Sequence, residues 1–148
     1  MPVLNVCGVR QNIYVFSLYH NPDLDDWIFG CLLASMAAVQ TEYTRASLMF
    51  VGDLNGLHQE WLSSSTTNHH GVAAFDLATI SGCDQLVACP TQARGGTLAL
   101  LMTDVPDAVQ VAVVAPIGNS DHSSLSTVIS MDQAVPNLCV SRKVFLKH

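Results

Sequence analysis

Ser47-Leu48-Met49-Phe50-Val51-Gly52-Asp53-Leu54-Asn55-Gly56 is the stretch on which the fold turns. Its first five residues, apolar from Leu48 to Val51, read as a short buried β-strand that stops abruptly at Gly52. A polar loop at the carboxyl end of a buried strand is where open α/β sheets place their ligands. Taken alone, Asp53-Leu54-Asn55 is more often an ordinary turn, its side chains bonding nearby backbone.

Toward the N-terminus, residues 3–6 and 14–18 are apolar runs rich in β-branched and aromatic residues. Residues 8–12 lie between them, which predicts a β-hairpin. Asn21-Pro22 then predicts a helix start, with Asp23, Asp25 and Asp26 where the helix dipole favours negative charge. Leu24, Trp27, Ile28, Cys31, Leu32, Ser35, Met36 and Val39 follow at helical spacing as one apolar face. Toward the C-terminus, residues 63–68 read as a polar surface loop. Residues 71–81 read as a second helix stopped by Gly82. Strands are expected at 86–89, 97–102, 109–115 and 124–129, with no internal repeat or linker. The fold class is α/β (α+β), with residues 1–135 as one domain and 136–148 as a basic extension.

Composition agrees. A chain of 148 residues fits a single domain. With 49% hydrophobic and 12% charged residues, and a mean hydropathy of +0.32, it is not disordered. No apolar run approaches the ~20 residues of a membrane span, and residues 1–9 lack the basic start and apolar block of a signal peptide. A soluble, intracellular protein, cytoplasmic or nuclear, is expected. All twelve acidic residues lie in residues 1–141 with Arg10, Arg45 and Arg94 alone against them, while Arg142, Lys143 and Lys147 close the chain. An acidic body argues against strong nonspecific nucleic-acid binding, so any contact with DNA is expected to be weak. Five cysteines without a CxxC pair are read as reduced and mostly buried.

Ser120-Asp121-His122 sits before the last expected strand, as Asp53 and Asn55 sit after an earlier one. Converging on one sheet edge, two carboxylates, an amide and an imidazole would make a hard-cation and proton-transfer site. His58, His69 and His70 with Cys83 or Cys89 show no zinc-ligand spacing. Trp27 and Trp61 are read as core aromatics.

In their order, Ser17-Leu18-Tyr19-His20-Asn21-Pro22, Gly52-Asp53-Leu54-Asn55, Thr97-Leu98-Ala99-Leu100 and Gly118-Asn119-Ser120-Asp121-His122 resemble the endonuclease/exonuclease/phosphatase superfamily, in particular the endonuclease domain of non-LTR retrotransposons. The resemblance covers roughly residues 3–130. It implies half of a four-layer sandwich, with one mixed β-sheet and helices on one face, and Mg²⁺- or Mn²⁺-dependent cleavage of phosphodiester bonds. By position, Tyr19 would contact the scissile phosphate and Asp53 would orient or deprotonate the attacking water. Asn55 would hold water or phosphate oxygens, Asp121 would join Asp53 at the metal, and His122 would donate to the phosphate. Asn119, Ser120 and Thr91 would shape the phosphate-binding surroundings.

Two departures stand against the matches. The family's main metal-binding Glu lies in an N-terminal half, and this sequence has no Asp or Glu before Asp23. The Asp that orients the family's catalytic His is replaced by Ala99. The resemblance therefore implies a catalytically weak or inactive remnant, or an interaction module that keeps the fold without the chemistry. It also implies a sheet face built to be covered, hence a homodimer in which a second copy covers it.

Overall fold

The computed structural model describes residues 3–7, 12–23, 25–62 and 64–130. Strand β1 (Val3–Cys7) runs antiparallel to β2 (Asn12–Tyr19), the expected hairpin. Helix α1 (Trp27–Glu42) carries the chain to β3 (Ala46–Asp53), which pairs parallel with β2 over its full length. Two helices follow, the single turn α2 (Gln59–Leu62) and α3 (His69–Ser81). The two-residue strand β4 (Asp84–Gln85) and β5 (Ala99–Thr103) then complete a five-stranded mixed sheet, β1-β2-β3-β5-β4. A 3-10 turn, Pro106–Ala108, leads to β6 (Val109–Val114) and β7 (Ser124–Ile129), which pair with each other as a second sheet.

The alternation of side chains along each strand divides the core in two. Tyr14, Phe16, Leu48, Phe50, Leu100 and Met102 face the helices, against Phe29, Leu32 and Met36 of α1 and Ala74, Leu77 and Ala78 of α3. Ile13, Met49 and Leu101 face the other way, where Val109, Val111, Val113, Leu125 and Ile129 of β6 and β7 pack on them. β3 is apolar on both faces because both are covered. The helices lie on one face of the mixed sheet, as expected. The opposite face is not bare, however, because the β6–β7 pair covers part of it.

Several local expectations need correction. α1 begins at Trp27 rather than at Asn21-Pro22. The Asn21 side-chain oxygen accepts from the Asp23 amide in a turn, and Asp26, at the cap position, makes no side-chain cap bond. Its carboxylate is held instead by His70 at 2.5 Å. Trp27 is 57% exposed and so is not a core aromatic, whereas Trp61 packs partly against the core. Cys31 and Cys89 are exposed, whereas Cys83 is buried as expected. The strand expected at 86–89 is confined to Asp84–Gln85, because the Gln85 side-chain amide bonds both backbone groups of Val87 in place of a neighbouring strand. α3 ends at Gly82, whose left-handed backbone (φ 65°) closes the helix as its position predicts. The extension 136–148 lies outside the described residues. Among the described residues no helix is long and apolar enough to cross a membrane.

Asp104 ties the start of β3 to the end of β5, accepting from the Leu48 amide at 2.8 Å beside a Thr103 hydroxyl that donates to the Leu48 carbonyl at 2.7 Å. Burial pushes the Asp104 carboxyl above the usual carboxylate range. A folded-state pKa above the unfolded one gives stability that is full below the unfolded value, near ~3.9, and lost as pH rises through the folded value. Asp104→Asn keeps an acceptor for Leu48 and removes the charge. Measured by urea unfolding from acid to neutral pH, the stability of wild type relative to Asp104→Asn should therefore fall as pH rises, and the opposite slope would contradict this reading.

Candidate active site

The register of the sheet puts three of the key positions in one row. Tyr19 on β2 pairs with Asp53 on β3, and Asp53 pairs with Ala99 on β5. Residues directly opposite on neighbouring strands project to the same side. All three are in phase with Met49 and Leu101, on the face away from the helices. This is the face that β6 and β7 cover, so the loop between those two strands can reach the end of β3.

It does so through His122. The His122 Nδ1 lies 3.3 Å from Asp53 Oδ2, joining the β6–β7 loop to the end of β3. Its Nε2 lies 3.8 Å from Asp121 Oδ1, so the imidazole stands between two carboxylates. The loop is anchored rather than loose. Gln92 and His122 form a single antiparallel bridge, Ser123 N donates to Thr91 O at 2.8 Å and Ala93 N donates to Asp121 O at 3.0 Å. The Gln92 side-chain amide reaches Asp121 Oδ2 at 3.5 Å. Ser120 Oγ accepts from the His122 amide at 3.1 Å and so shapes the turn, while Asn119 is exposed in the same loop.

The loop after β3 is equally defined. Asp53 Oδ1 accepts from the Asn55 amide at 3.1 Å, an Asx turn that leaves Oδ2 to His122. Asn55 has a left-handed backbone (φ 49°), a conformation that Asn tolerates better than most residues. Its side-chain amide donates to the His20 carbonyl at 2.9 Å, and the His20 amide donates to the Asp53 carbonyl at 2.8 Å. Asn68, which in sequence is only part of a polar loop, fixes the far side. Its Oδ1 accepts from both Leu57 N and Gly71 N at 2.8 Å, and its amide donates to Asn55 O at 3.2 Å. It is at once the cap of α3 and the clamp on the Asp53 loop.

The structure therefore brings Asp53, Asn55, Asp121 and His122 to one edge, with Tyr19 beside Asp53 in the sheet and 67% exposed. Thr91 sits behind them. It is fully buried, and its hydroxyl accepts from Leu98 N at 2.9 Å and Ala99 N at 3.0 Å. Thr91 thus holds the start of β5 from behind the edge and does not reach its surface. His58 also plays a local part, because its Nδ1 accepts from Trp61 N at 3.2 Å and its ring stacks on Phe75.

The donor chemistry at Asp53 and Asp121 suits a hard cation. No trio of ligand atoms there gathers as closely as a preformed cage would need among the described residues. Mg²⁺ commonly needs none, being held by one or two carboxylates with water and phosphate oxygens completing its shell.

No protein-family model matches the sequence, and no curated protein matches it. Among solved structures, the chain is similar to the endonuclease domain of TRAS1, a telomere-specific non-LTR retrotransposon, at 20% identity and a TM-score of 0.68, covering 86% of this chain. The chain spans 60% of the length of that domain. CdtB, the biologically active subunit of cytolethal distending toxin, is matched at 15% identity and a TM-score of 0.48, over 84% of this chain and 50% of that one. Taken with the β2–β3–β5 row and the His122 loop that meets it, the TRAS1 match shows that this chain has an endonuclease/exonuclease/phosphatase-like fold.

Proposed function

We propose that the chain is a retroelement-derived endonuclease-like domain, a weak divalent-metal phosphodiesterase acting on DNA. The observation that carries this reading is the 3.3 Å approach of His122 Nδ1 to Asp53 Oδ2 beside Asp121. Asp53 is placed to orient a water molecule and take its proton, and its orientation is held by the Asn55 amide. His122 is placed to donate to a phosphate oxygen as negative charge grows there. Asp53 and Asp121 would hold Mg²⁺ or Mn²⁺, which would supply Lewis-acid stabilisation of the phosphoryl oxygens. Tyr19, exposed in the same row, is the residue a bound phosphate would meet first. The test is nicking of supercoiled plasmid DNA by the chain with Mg²⁺ or Mn²⁺. Nicking no faster than the metal alone would sink the proposal.

Weakness follows from Ala99. It faces Asp53 directly across the β3–β5 ladder, so position 99 offers no carboxylate to join Asp53 and Asp121 in orienting His122. Loss of such an orienting partner costs about 10–100-fold at metal sites. Ala99→Asp should therefore raise the nicking rate by roughly that factor, despite a small stability cost from like charges directly opposite on adjacent strands. An unchanged or lower rate in a folded variant would show that Ala99 is not the limiting departure.

Ala99 also favours a second reading, an interaction module in which Asp53 and Asn55 do no more than hold their loop. On either reading a second copy is the proposed partner, seated on the sheet face where Val15 and Val51 are half-buried, away from the Tyr19–Asp53 row. A monomer mass by light scattering at micromolar concentration would contradict that pairing.

A further inference from the structure

We propose that His20, Asp26 and His70 form a second metal site, chemically suited to Zn²⁺, distinct from the Asp53–His122 edge. Ligand atoms of the three side chains lie within 4.8 Å of one another. They come from three parts of the chain: the end of β2, the approach to α1 and the first turn of α3. His20 is 2% exposed, yet among the described residues neither of its ring nitrogens has a hydrogen-bond partner. A buried imidazole with two unpaired nitrogens is costly and calls for a partner. Its ring stands 4.4 Å from that of His70, edge on, and Phe29 borders it at 5.2 Å.

The surroundings of His70 match those of a metal ligand. Its Nδ1 meets Asp26 Oδ1 at 2.5 Å, and its Nε2 lies 3.1 Å from the Pro22 carbonyl oxygen. Metal-bound histidines typically donate their other N–H to a carbonyl or carboxylate, which fixes the ring. A cation between His70 Nδ1 and Asp26 Oδ1 replaces the hydrogen now there, whose proton leaves to solvent. A His20 nitrogen is the third ligand and water the fourth. At Zn–ligand distances of about 2.0–2.2 Å a tetrahedral shell spaces its ligand atoms by about 3.3 Å. The His70–Asp26 pair then opens by less than an ångström, within the reach of side-chain rotation. Two imidazoles and one carboxylate select a borderline transition ion over Mg²⁺. The site abuts the Asp53 loop, because the His20 amide donates to Asp53 O and the His20 carbonyl accepts from Asn55. Zn²⁺ there braces the loop from behind.

The test is calorimetric titration of the full chain with Zn²⁺, together with the visible spectrum of the Co²⁺ form. Wild type should bind one ion and show the d–d bands of a tetrahedral N/O site, without thiolate charge transfer. His20→Phe should weaken binding by roughly 100-fold or more. This variant loses no hydrogen bond, so without metal it should melt no lower than wild type, and Zn²⁺ should raise the melting temperature of wild type alone. Asp121→Asn should bind Zn²⁺ as wild type does, which separates this site from the proposed phosphodiesterase centre. Undiminished binding by His20→Phe, a thiolate spectrum, or no binding by wild type would each overturn the proposal.

Discussion

Asp53→Ala should lower the nicking rate by about 10²–10⁴-fold, the range for loss of a positioned acid–base group. The expectation rests on the double engagement of one carboxylate. Oδ1 holds the Asn55 amide and with it the left-handed turn, while Oδ2 faces His122 from the β6–β7 loop. Removing it frees the imidazole, loosens the loop and takes away one of two carboxylates proposed for the metal. Asp53→Asn separates these effects, since its amide oxygen can still accept from Asn55 while the charge is gone. If the charge matters, Asp53→Asn should be nearly as impaired as Asp53→Ala, with circular dichroism unchanged. Recovery of most of the rate in Asp53→Asn would mean that Asp53 shapes the loop and does no acid–base chemistry.

Gly71→Ala should destabilise the fold, although the same change at an exposed helical position stabilises by about 1 kcal/mol. Gly71 lies in the first turn of α3, where the loop from β3 crosses it. A Cβ added there would sit 2.0 Å from the Leu57 carbonyl oxygen and 2.6 Å from its carbon. Both are backbone atoms, so no rotamer change relieves the clash. The helix and the 54–57 segment must separate, which breaks the Asn68 bonds to Leu57 and Gly71. Overpacking alone costs about 1–3 kcal/mol, and the part-buried hydrogen bonds add about 1 kcal/mol each. A loss of about 3 kcal/mol or more is expected, a drop of roughly 10 °C in a domain of this size. A melting temperature equal to or above that of wild type would show that the loop does not lie this close to the helix.

The sequence carries the secondary structure best where the signal is local. The strand read at 47–51, which in the structure runs on through Asp53, the β1–β2 hairpin and the Gly82 helix stop all depend on neighbouring residues, and all appear in the fold. The start of α1 is not legible for the opposite reason. Asp26 reads as a first-turn acid, but its carboxylate is held by His70, 44 residues further on. Asn68 is a similar case. An Asn three residues before Gly71 marks a helix cap, yet its amide contact with Asn55 depends on a crossing that no local pattern displays. Of the site, Asp53, Asn55, Asp121 and His122 are nameable from order and resemblance, and their convergence follows from the pairing of β6 with β7. Thr91 is nameable too, but only the structure reveals that its hydroxyl is spent on the Leu98 and Ala99 amides. His20 gives no signal in the sequence, because burial and an empty hydrogen-bonding shell are tertiary properties.

The most direct measurement of the central claim, that Asp53 and His122 act as one phosphodiester-cleaving unit, is a double-mutant cycle. Plasmid nicking with Mn²⁺ would be measured for wild type, Asp53→Ala, His122→Ala and the double variant. Residues acting as a unit are strongly non-additive. Each single change should remove most of the activity, and the double variant should be no slower than the slower single one. Nicking that survives both substitutions would contradict the claim.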